Sequence, residues 1–316
     1  MPEGQPHRTY DLRAHALKIC TATAVLASLA ACSPTDITRT AQSPSVRPAA
    51  VAPGPPAPRE HLRDTLVRAL KPVRPGRHTR LAVAVLDLDS ADRVIASYGQ
   101  RATFDTASII KVDILATLLL QAQDEGRAPS VEQRRMAEAM IRSSDNGATH
   151  ALWQAIGAAE GLDEANERLG LSSTRGGHGM RWGLTQTTAT DQVRLLRAVF
   201  GGGASASARS PQGLNHASRA YIKSLMGSVE EEQDWGVSAA GSPGSRWALK
   251  NGWLQRTTTG LWVINSIGQV TVHGRRHLVS VLSDGNVSME SGISLVERAA
   301  RAAIGAASAH ARPWPM

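Results

Sequence analysis

The sequence predicts an α+β fold: a five-stranded antiparallel sheet flanked by N- and C-terminal helices, together with an all-helical lobe. Three observations predict it. Segments rich in β-branched residues occur in two groups towards opposite ends of the chain, a long stretch of helical periodicity separates them, and a helical segment borders each group on its outer side. Strands and helices are segregated, so the alternation that a parallel sheet needs is absent. We therefore expect strands from both ends of the chain to join one sheet.

Each element follows from its local pattern. The first helix is predicted at HLRDTLVRALKPV, which stops before a Pro-Gly pair, and TRLAVAVLDLDS with RVIASYG predicts a hairpin. Helices are then expected at TASIIKVDILATLLL, on both sides of SSDN in VEQRRMAEAMIRSSDNGATHALWQAIG, and at LDEANERLG, TQTTATDQVRLLRAVF and NHASRAYIKSLMGSV. The threonines that begin TQTTATDQVRLLRAVF are candidate helix caps. Three strands, RWALKNGWL, GLWVINSIGQVTV and RHLVSVLSDG, precede a last helix, SMESGISLVERAARAAIGAAS.

The N-terminus has the layout of a secretory signal peptide. Three basic residues precede the apolar run ICTATAVLASLAAC, which is too short to span a bilayer and is closed by small residues. Its last four residues, Leu-Ala-Ala-Cys, resemble a bacterial lipobox. That resemblance implies cleavage before Cys32 and attachment of lipid to its sulfur, which would anchor the protein on the outer face of the cell membrane. An ordinary signal peptide with an incidental cysteine, and hence a secreted protein, is the alternative.

The chain is therefore divided into a signal peptide at 1–31, a Pro/Ala-rich tether at 32–58, a folded domain at 59–308 and a short tail at 309–316. Both cysteines lie in the first 32 residues, so the folded domain can hold no disulfide and no cysteine-based metal site. The histidines are scattered and suggest no metal site either. The apolar fraction of 42% is enough to form a core.

The formal net charge of +8 has two explanations. A cationic exported protein meets anionic wall polymers and lipid headgroups, or the arginines simply form a solvated surface. No run of Lys and Arg is interleaved with aromatic residues, and an exported chain is not expected to bind nucleic acid. We expect a monomer.

A lysine lies inside an almost wholly apolar helical segment at residues 106–120. An ammonium in such surroundings must be paired, or it loses its proton. Lys111 follows Ser108 by three positions, which places the two side chains on neighbouring turns of a helix. A desolvated lysine with a lowered pKa can take the hydroxyl proton and create a nucleophile. With Asp105 or Thr106 as the helix cap, Ser108 falls in the first turn, where its N–H can face an oxyanion.

Two further polar elements accompany this pair. Ser-Asp-Asn at 144–146 breaks two helices and suits a loop that enters a cleft, where Ser144 could relay a proton and Asn146 could hold the lysine and a substrate amide. Lys-Asn-Gly at 250–252 lies on a strand, where Lys250 offers a positive charge to a carboxylate and the glycine permits close approach. Taken singly, each element has an ordinary explanation: a surface Ser and Lys, a capping turn, and an exposed strand lysine.

In combination, the three elements resemble the class A β-lactamases and penicillin-binding serine hydrolases. Ser-x-x-Lys, Ser-Asp-Asn and Lys-x-Gly occur in the order and approximate spacing of that family, and the likeness covers about residues 60 to 305. The resemblance implies a fold of the β-lactamase/transpeptidase type and acyl-enzyme chemistry without metal or cofactor. The roles it implies are as follows: Ser108 as nucleophile, Lys111 as its base, Ser144 as proton shuttle, Asn146 as positioning residue, Lys250 with Asn251 and Gly252 as binders of a substrate carboxylate, and the N–H groups of Ser108 and Trp253 as oxyanion hole.

The sequence departs from the family at two points. The family usually has Thr or Ser where this chain has Asn251, whose amide can donate a hydrogen bond but cannot act as a hydroxyl. Class A enzymes also carry a Glu, on the loop after Ser-Asp-Asn, that activates water to release the acyl group. Here residues 168–190 contain no Asp or Glu, while Glu164 and Glu167 are expected to face solvent from the preceding helix. His178, whose residue type has an ordinary pKa near neutrality, is the candidate replacement base of that stretch. A structural or incidental histidine in a Gly-rich loop is the alternative.

The sequence thus predicts an exported, lipid-anchored serine hydrolase that acts on a β-lactam or on cell-wall peptide amide bonds. Loss of a general base typically slows a reaction by about 10²–10⁴, so acylation would survive while release of a β-lactam adduct would be slow. A D,D-peptidase or esterase with little lactamase activity is the alternative within the enzyme class. A non-catalytic penicillin-binding or wall-binding lipoprotein is the alternative outside it.

Overall fold

The structure is a computed structural model and describes residues 58–99, 102–202, 213–242 and 244–310. The predicted signal peptide, Cys32, nearly all of the tether and most of the tail lie outside these residues. The described α-helices are α1 (Pro58–Leu70), α2 (Ile110–Asp124), α3 (Val131–Arg142), α4 (Asn146–Ala155), α5 (Ala158–Leu169), α6 (Ala189–Phe200), α7 (His216–Met226) and α8 (Met289–His310). The described strands are β1 (Arg80–Asp87), β2 (Ala96–Tyr98), β3 (Phe104–Asp105), β4 (Gln186–Thr187), β5 (Trp247–Gln255), β6 (Trp262–Val272) and β7 (Arg275–Asn286).

The predicted sheet is confirmed. Five antiparallel strands are arranged in the order β2-β1-β7-β6-β5, so the N-terminal hairpin joins the three C-terminal strands through the β1–β7 pair. Val83 lies opposite Val281 in that pair, and Lys250 on the edge strand β5 lies opposite Ile267. β3 and β4 form a separate two-stranded sheet. The strands that carry the predicted site residues are thereby held against the rest of the sheet by a continuous ladder of hydrogen bonds.

Both faces of the sheet are buried. Successive residues of β1 alternate between two cores: Val83 and Val85 pack with the terminal helices, while Ala84 and Leu86 pack with the helical lobe. The predicted arrangement, with α1 and α8 on one face and the lobe on the other, is therefore confirmed. None of the described helices combines the length and the apolar character that a membrane span requires.

Helix α2 runs through the centre of the lobe, and twelve of its 15 residues are buried. Two of the buried side chains, Lys111 and Asp113, are ionisable. Burial raises the pKa of Asp113 to about 8, so this carboxyl group is mostly protonated at neutral pH. The Lys111 amine contacts polar groups at the break between α3 and α4, and these groups form the candidate site.

The start of this helix differs from the prediction. The chain enters α2 through a 3₁₀ turn at Ala107–Ile109, and neither Asp105 nor Thr106 caps it with a side-chain hydrogen bond. The reason is competition: the Asp105 carboxylate pairs with Arg256 at 2.6 Å. Caps do form at two other predicted breaks, since Asp145 accepts from the first turn of α4 and Thr188 from the first turn of α6.

Candidate functional site

The 3₁₀ turn that carries Ser108 has a strained backbone and is held from two sides. Ala107 has φ of +47°, a left-handed conformation that non-glycine residues rarely adopt. The buried Asn265 side chain on β6 donates to the backbone oxygens of Asp105 and Thr106 at 2.9 and 3.0 Å. The N–H of Thr106 donates to the carbonyl oxygen of Thr185 at 2.9 Å. Such strain persists only where the surroundings fix the backbone, so the position of half-buried Ser108 is set by the fold.

Strand β5 packs directly against this turn at Gly252. A Cβ atom added to Gly252 would lie 2.8 Å from both the Ser108 nitrogen and the Thr106 carbonyl oxygen, and 2.9 Å from the Ile109 nitrogen. Only glycine fits such a contact. The predicted segments 106–111 and 250–252 are therefore adjacent in space, although about 140 residues separate them in the sequence.

The Lys111 amine makes its hydrogen bonds with the 144–146 segment. It donates to the Ser144 carbonyl oxygen at 2.6 Å, to the Ser144 hydroxyl at 3.0 Å and to Asn146 Oδ1 at 3.0 Å. Its side chain is fully buried. Burial lowers the pKa of Lys111 to about 7, against an opposing effect of the Asp145 carboxylate. At neutral pH a large fraction of this amine is therefore unprotonated, as a general base requires.

Ser144 adopts the conformation that makes these contacts possible. Its φ of +56° is left-handed and turns both its carbonyl group and its hydroxyl towards Lys111 at the break between α3 and α4. The side chain of Asp145, the next residue, is exposed and accepts from the Ala148 N–H at 2.6 Å, which caps α4. The polar break thus combines a helix cap with two acceptors for the buried amine.

A second buried amine reaches the same hydroxyl. Lys250 donates to the Ser144 hydroxyl at 3.1 Å, to the Asn251 carbonyl oxygen at 3.0 Å and to Gln233 Oε1 at 3.4 Å. Burial, and secondarily the charge of Lys111, lowers the pKa of Lys250 well below its usual range. Within the described parts of the chain, neither lysine forms an ion pair with a carboxylate. One hydroxyl therefore links two amines that cannot both be charged without strong repulsion.

The Asn251 side chain forms hydrogen bonds within the protein. Its amide nitrogen donates to the backbone oxygens of Gln233 and Trp235 at 2.9 and 2.8 Å, and the side chain is fully buried. A substrate-binding role, as predicted from the sequence, would require this amide to release one of those carbonyl groups. The observed contacts instead tie the 233–235 segment to β5, and this tie brings the Gln233 side chain to Lys250.

An aromatic ring from the 168–190 segment lies against Lys111. The Lys111 amine lies 5.1 Å from the centre of the Trp182 ring. The other side of Trp182 contacts the His150 ring edge to face, with ring centres 5.7 Å apart. His178, the predicted replacement base, is exposed, and its side chain makes no described contact with either lysine. Its backbone oxygen accepts from Arg181.

The comparisons with known proteins agree with this geometry. A family model described as "Beta-lactamase enzyme family" matches residues 127–307, which is more than half of the chain. The chain belongs to the β-lactamase enzyme family. The match includes the 144–146 and 250–252 segments but begins after Ser108 and Lys111.

Two solved structures and two sequence relatives resemble this chain. A class A β-lactamase from Bacteroides cellulosilyticus has 15% sequence identity, with a TM-score of 0.63 over 81% of this chain and 100% of that one. A mutant of PBP-A in an acyl-enzyme complex with penicillin G has 20% identity, with a TM-score of 0.64 over 78% of this chain and 97% of that one. These structures share the fold. "Putative lipoprotein LppW" of Mycobacterium bovis and Mycobacterium tuberculosis is 34% identical over 123 residues, which span 39% of this chain and 38% of the relative.

Three contributors to the site were missed by sequence reasoning. Gln233, Trp182 and Asn265 reach it from a 3₁₀ turn, a second 3₁₀ turn and the neighbouring strand. Short irregular turns have no periodicity, so no pattern identifies which of their side chains points inward. Asn265 carries a weak signal, because an amide beside the apolar residues Val263 and Ile264 in a strand needs polar partners.

Gly252→Ala tests the close approach of β5 to the Ser108 turn. Alanine in a strand is normally more favourable than glycine, but here the added methyl group overlaps backbone atoms. We expect the variant to lose about 1–3 kcal/mol of unfolding free energy, measured by denaturant titration. Gly305→Ala is the matched control, because its Cβ would meet nothing within 4 Å, and it should be at least as stable as the wild type. Equal stability of Gly252→Ala and the wild type would contradict the contact.

Proposed function

We propose that this protein is an exported, lipid-anchored serine hydrolase that forms an acyl-enzyme at Ser108 with a β-lactam or with a cell-wall peptide that ends in a carboxylate. The observation that carries the proposal is the buried Lys111 amine, hydrogen-bonded to Ser144 and Asn146 and lowered in pKa to about 7. A structural lysine gains nothing from such a position, whereas a general base needs it.

In the proposed acylation, the neutral Lys111 amine takes the hydroxyl proton as Ser108 Oγ attacks the substrate carbonyl carbon. The N–H groups of Ser108 and Trp253 stabilise the oxyanion that forms. When the C–N bond breaks, the Ser144 hydroxyl gives its proton to the leaving nitrogen. Ser144 recovers a proton from Lys111, so the amine returns to its neutral form. The hydrogen bond between Lys111 and the Ser144 hydroxyl, 3.0 Å long, supports this transfer.

Lys250 has a second task in the proposal, which is to attract the substrate carboxylate. In the free protein, burial and Lys111 disfavour its charged form. A carboxylate in the cleft would favour that form again, so binding of substrate and uptake of a proton by Lys250 are coupled. Gln233 and the backbone oxygen of Asn251 then stabilise the ammonium. Asn146 holds Lys111 and offers its amide nitrogen to the substrate.

Release of the acyl group is expected to be slow. Residues 168–190 contain no carboxylate, and Trp182 places an aromatic ring against Lys111 on that side of the site. A ring with no acceptor cannot activate water. This combination favours a penicillin-binding D,D-peptidase or an esterase over an enzyme that destroys antibiotics efficiently. The same observation favours a second candidate, a lipoprotein that traps penicillin or binds wall peptides without turnover.

Time-resolved mass spectrometry separates these functions. The folded domain is incubated with a fluorescent penicillin and, separately, with a chromogenic cephalosporin. We expect a persistent covalent adduct on Ser108 and little hydrolysis of the cephalosporin. Ser108→Ala should abolish the adduct, and Ser172→Ala, which changes an exposed serine, should not. Rapid turnover would identify a lactamase, absence of an adduct would favour a wall-binding role or a different substrate, and an adduct that survives Ser108→Ala would exclude the proposed nucleophile.

Export and lipid attachment at Cys32 are supported by the signal-like N-terminus and by the name of the LppW relatives. The Pro/Ala-rich stretch at 32–58 would then hold the domain away from the membrane. In a bacterial host, the wild type should be recovered with membranes, and Cys32→Ala should move to the soluble or secreted fraction. Identical fractionation of the two proteins, with no lipid mass on Cys32, would contradict the anchor.

A further inference from the structure

A cavity of about 410 Å³ lies at the start of β5, next to the part of the strand that carries the candidate site. Its lining comes from the ends of α6 and α7, the first residues of β5, and the β6–β7 hairpin. Trp247 begins β5 and lines this cavity, while Lys250, the first site residue on the strand, lies three residues further along. At about 3.3 Å per residue, the two positions are about 10 Å apart. No residue of the candidate site belongs to the lining.

The lining of the cavity is basic. Lys223, Arg246 and Arg276 all contribute to it, and Arg219 lies one helical turn before Lys223 on α7. Arg276 pairs with Asp89. Within the described residues, the other three cations have no ion-pair partner. Four cations thus lie near two carboxylates, Asp89 and Asp87, and Asp87 is itself paired with Arg275. The excess of positive charge is concentrated at one opening.

The cations are close enough to repel one another. The pKa of Lys223 is lowered by burial first, and then by the charges of Arg219 and Arg276. The Lys223 amine lies 5.7 Å from the centre of the Phe200 ring, which compensates only part of this cost. Apart from the Arg276–Asp89 pair, this cluster has no ion pair within the described residues. An anion in the cavity would reduce the remaining repulsion and raise the pKa of Lys223 again.

The polar and aromatic residues of the lining indicate which class of anion the cavity would bind. Gln269 and Thr271 place an amide and a hydroxyl at the wall, joined by a hydrogen bond of 3.2 Å. Trp247 adds a half-buried aromatic side chain. Arginine and lysine together with neutral donors match the several oxygen atoms of a phosphoryl group, and the cavity has room for more than a bare ion. We propose that this cavity is an accessory binding site for a phosphate-bearing ligand, independent of the acyl-enzyme chemistry.

Two sources of such a ligand share this chemistry: a phosphodiester polymer of the cell wall and the headgroup of an anionic lipid. Calorimetric titration with a glycerol-phosphate oligomer, and sedimentation with phosphatidylglycerol vesicles, distinguish them. Inorganic phosphate serves as the minimal probe. Binding to the oligomer alone identifies the polymer, and binding to vesicles alone identifies the lipid. Failure of all three probes to bind would overturn the proposal.

The double variant Lys223→Gln/Arg246→Gln removes the two unpaired cations of the lining. We expect at least about tenfold weaker binding of the probe that binds the wild type, because each charge-assisted hydrogen bond contributes about that factor. Arg63→Gln/Arg77→Gln is the control with the same change of net charge at exposed positions, and its affinity should stay within about twofold. Equal weakening in both variants would show attraction by net charge alone and would overturn the site. Labelling of Ser108 should be unchanged in all of these proteins.

Discussion

The site depends on one hydroxyl that two buried amines share. Lys111 and Lys250 approach the Ser144 hydroxyl at 3.0 and 3.1 Å, and no carboxylate of the described chain neutralises either amine. Two ammonium groups at such a distance in a desolvated place would repel strongly. The protein therefore favours a state in which at least one amine is neutral. That neutral amine is the physical origin of basicity in a region where a solvated lysine would stay protonated.

The fold maintains this arrangement by fixing backbones rather than by flexible side-chain contacts. Ala107 and Ser144 are both held in left-handed conformations, which cost about 1–3 kcal/mol each and persist only under constraint. Gly252 allows β5 to touch the Ser108 turn, and Asn265 fastens that turn to β6. Because the proposed catalytic groups come from three separate elements, the sheet and α2 must both be complete before the site exists.

Local patterns predicted the element order and the sheet, because β-branched segments and helical periodicity are properties of short stretches. The apolar residues around Lys111 in the sequence also predicted that its side chain would be buried. The partners of that lysine could be anticipated only by resemblance, since they depend on tertiary placement of 144–146. Nothing local indicated that Trp182 would face the amine, or that Asp105 would pair with an arginine instead of capping its turn. These contacts join residues that are far apart in the sequence, so no local pattern indicates them.

The pH dependence of acylation tests the central claim that Lys111 acts as a neutral base. The second-order rate of Ser108 labelling by a fluorescent penicillin should be half-maximal near the Lys111 pKa of about 7. Below that pH it should fall by about tenfold per unit, because only the unprotonated amine can accept the proton. The charge of Asp145 raises the pKa of Lys111, so Asp145→Asn, which keeps a capping side chain, should move this limb to lower pH. A rate that is independent of pH from acidic to alkaline solution in both proteins would contradict the account.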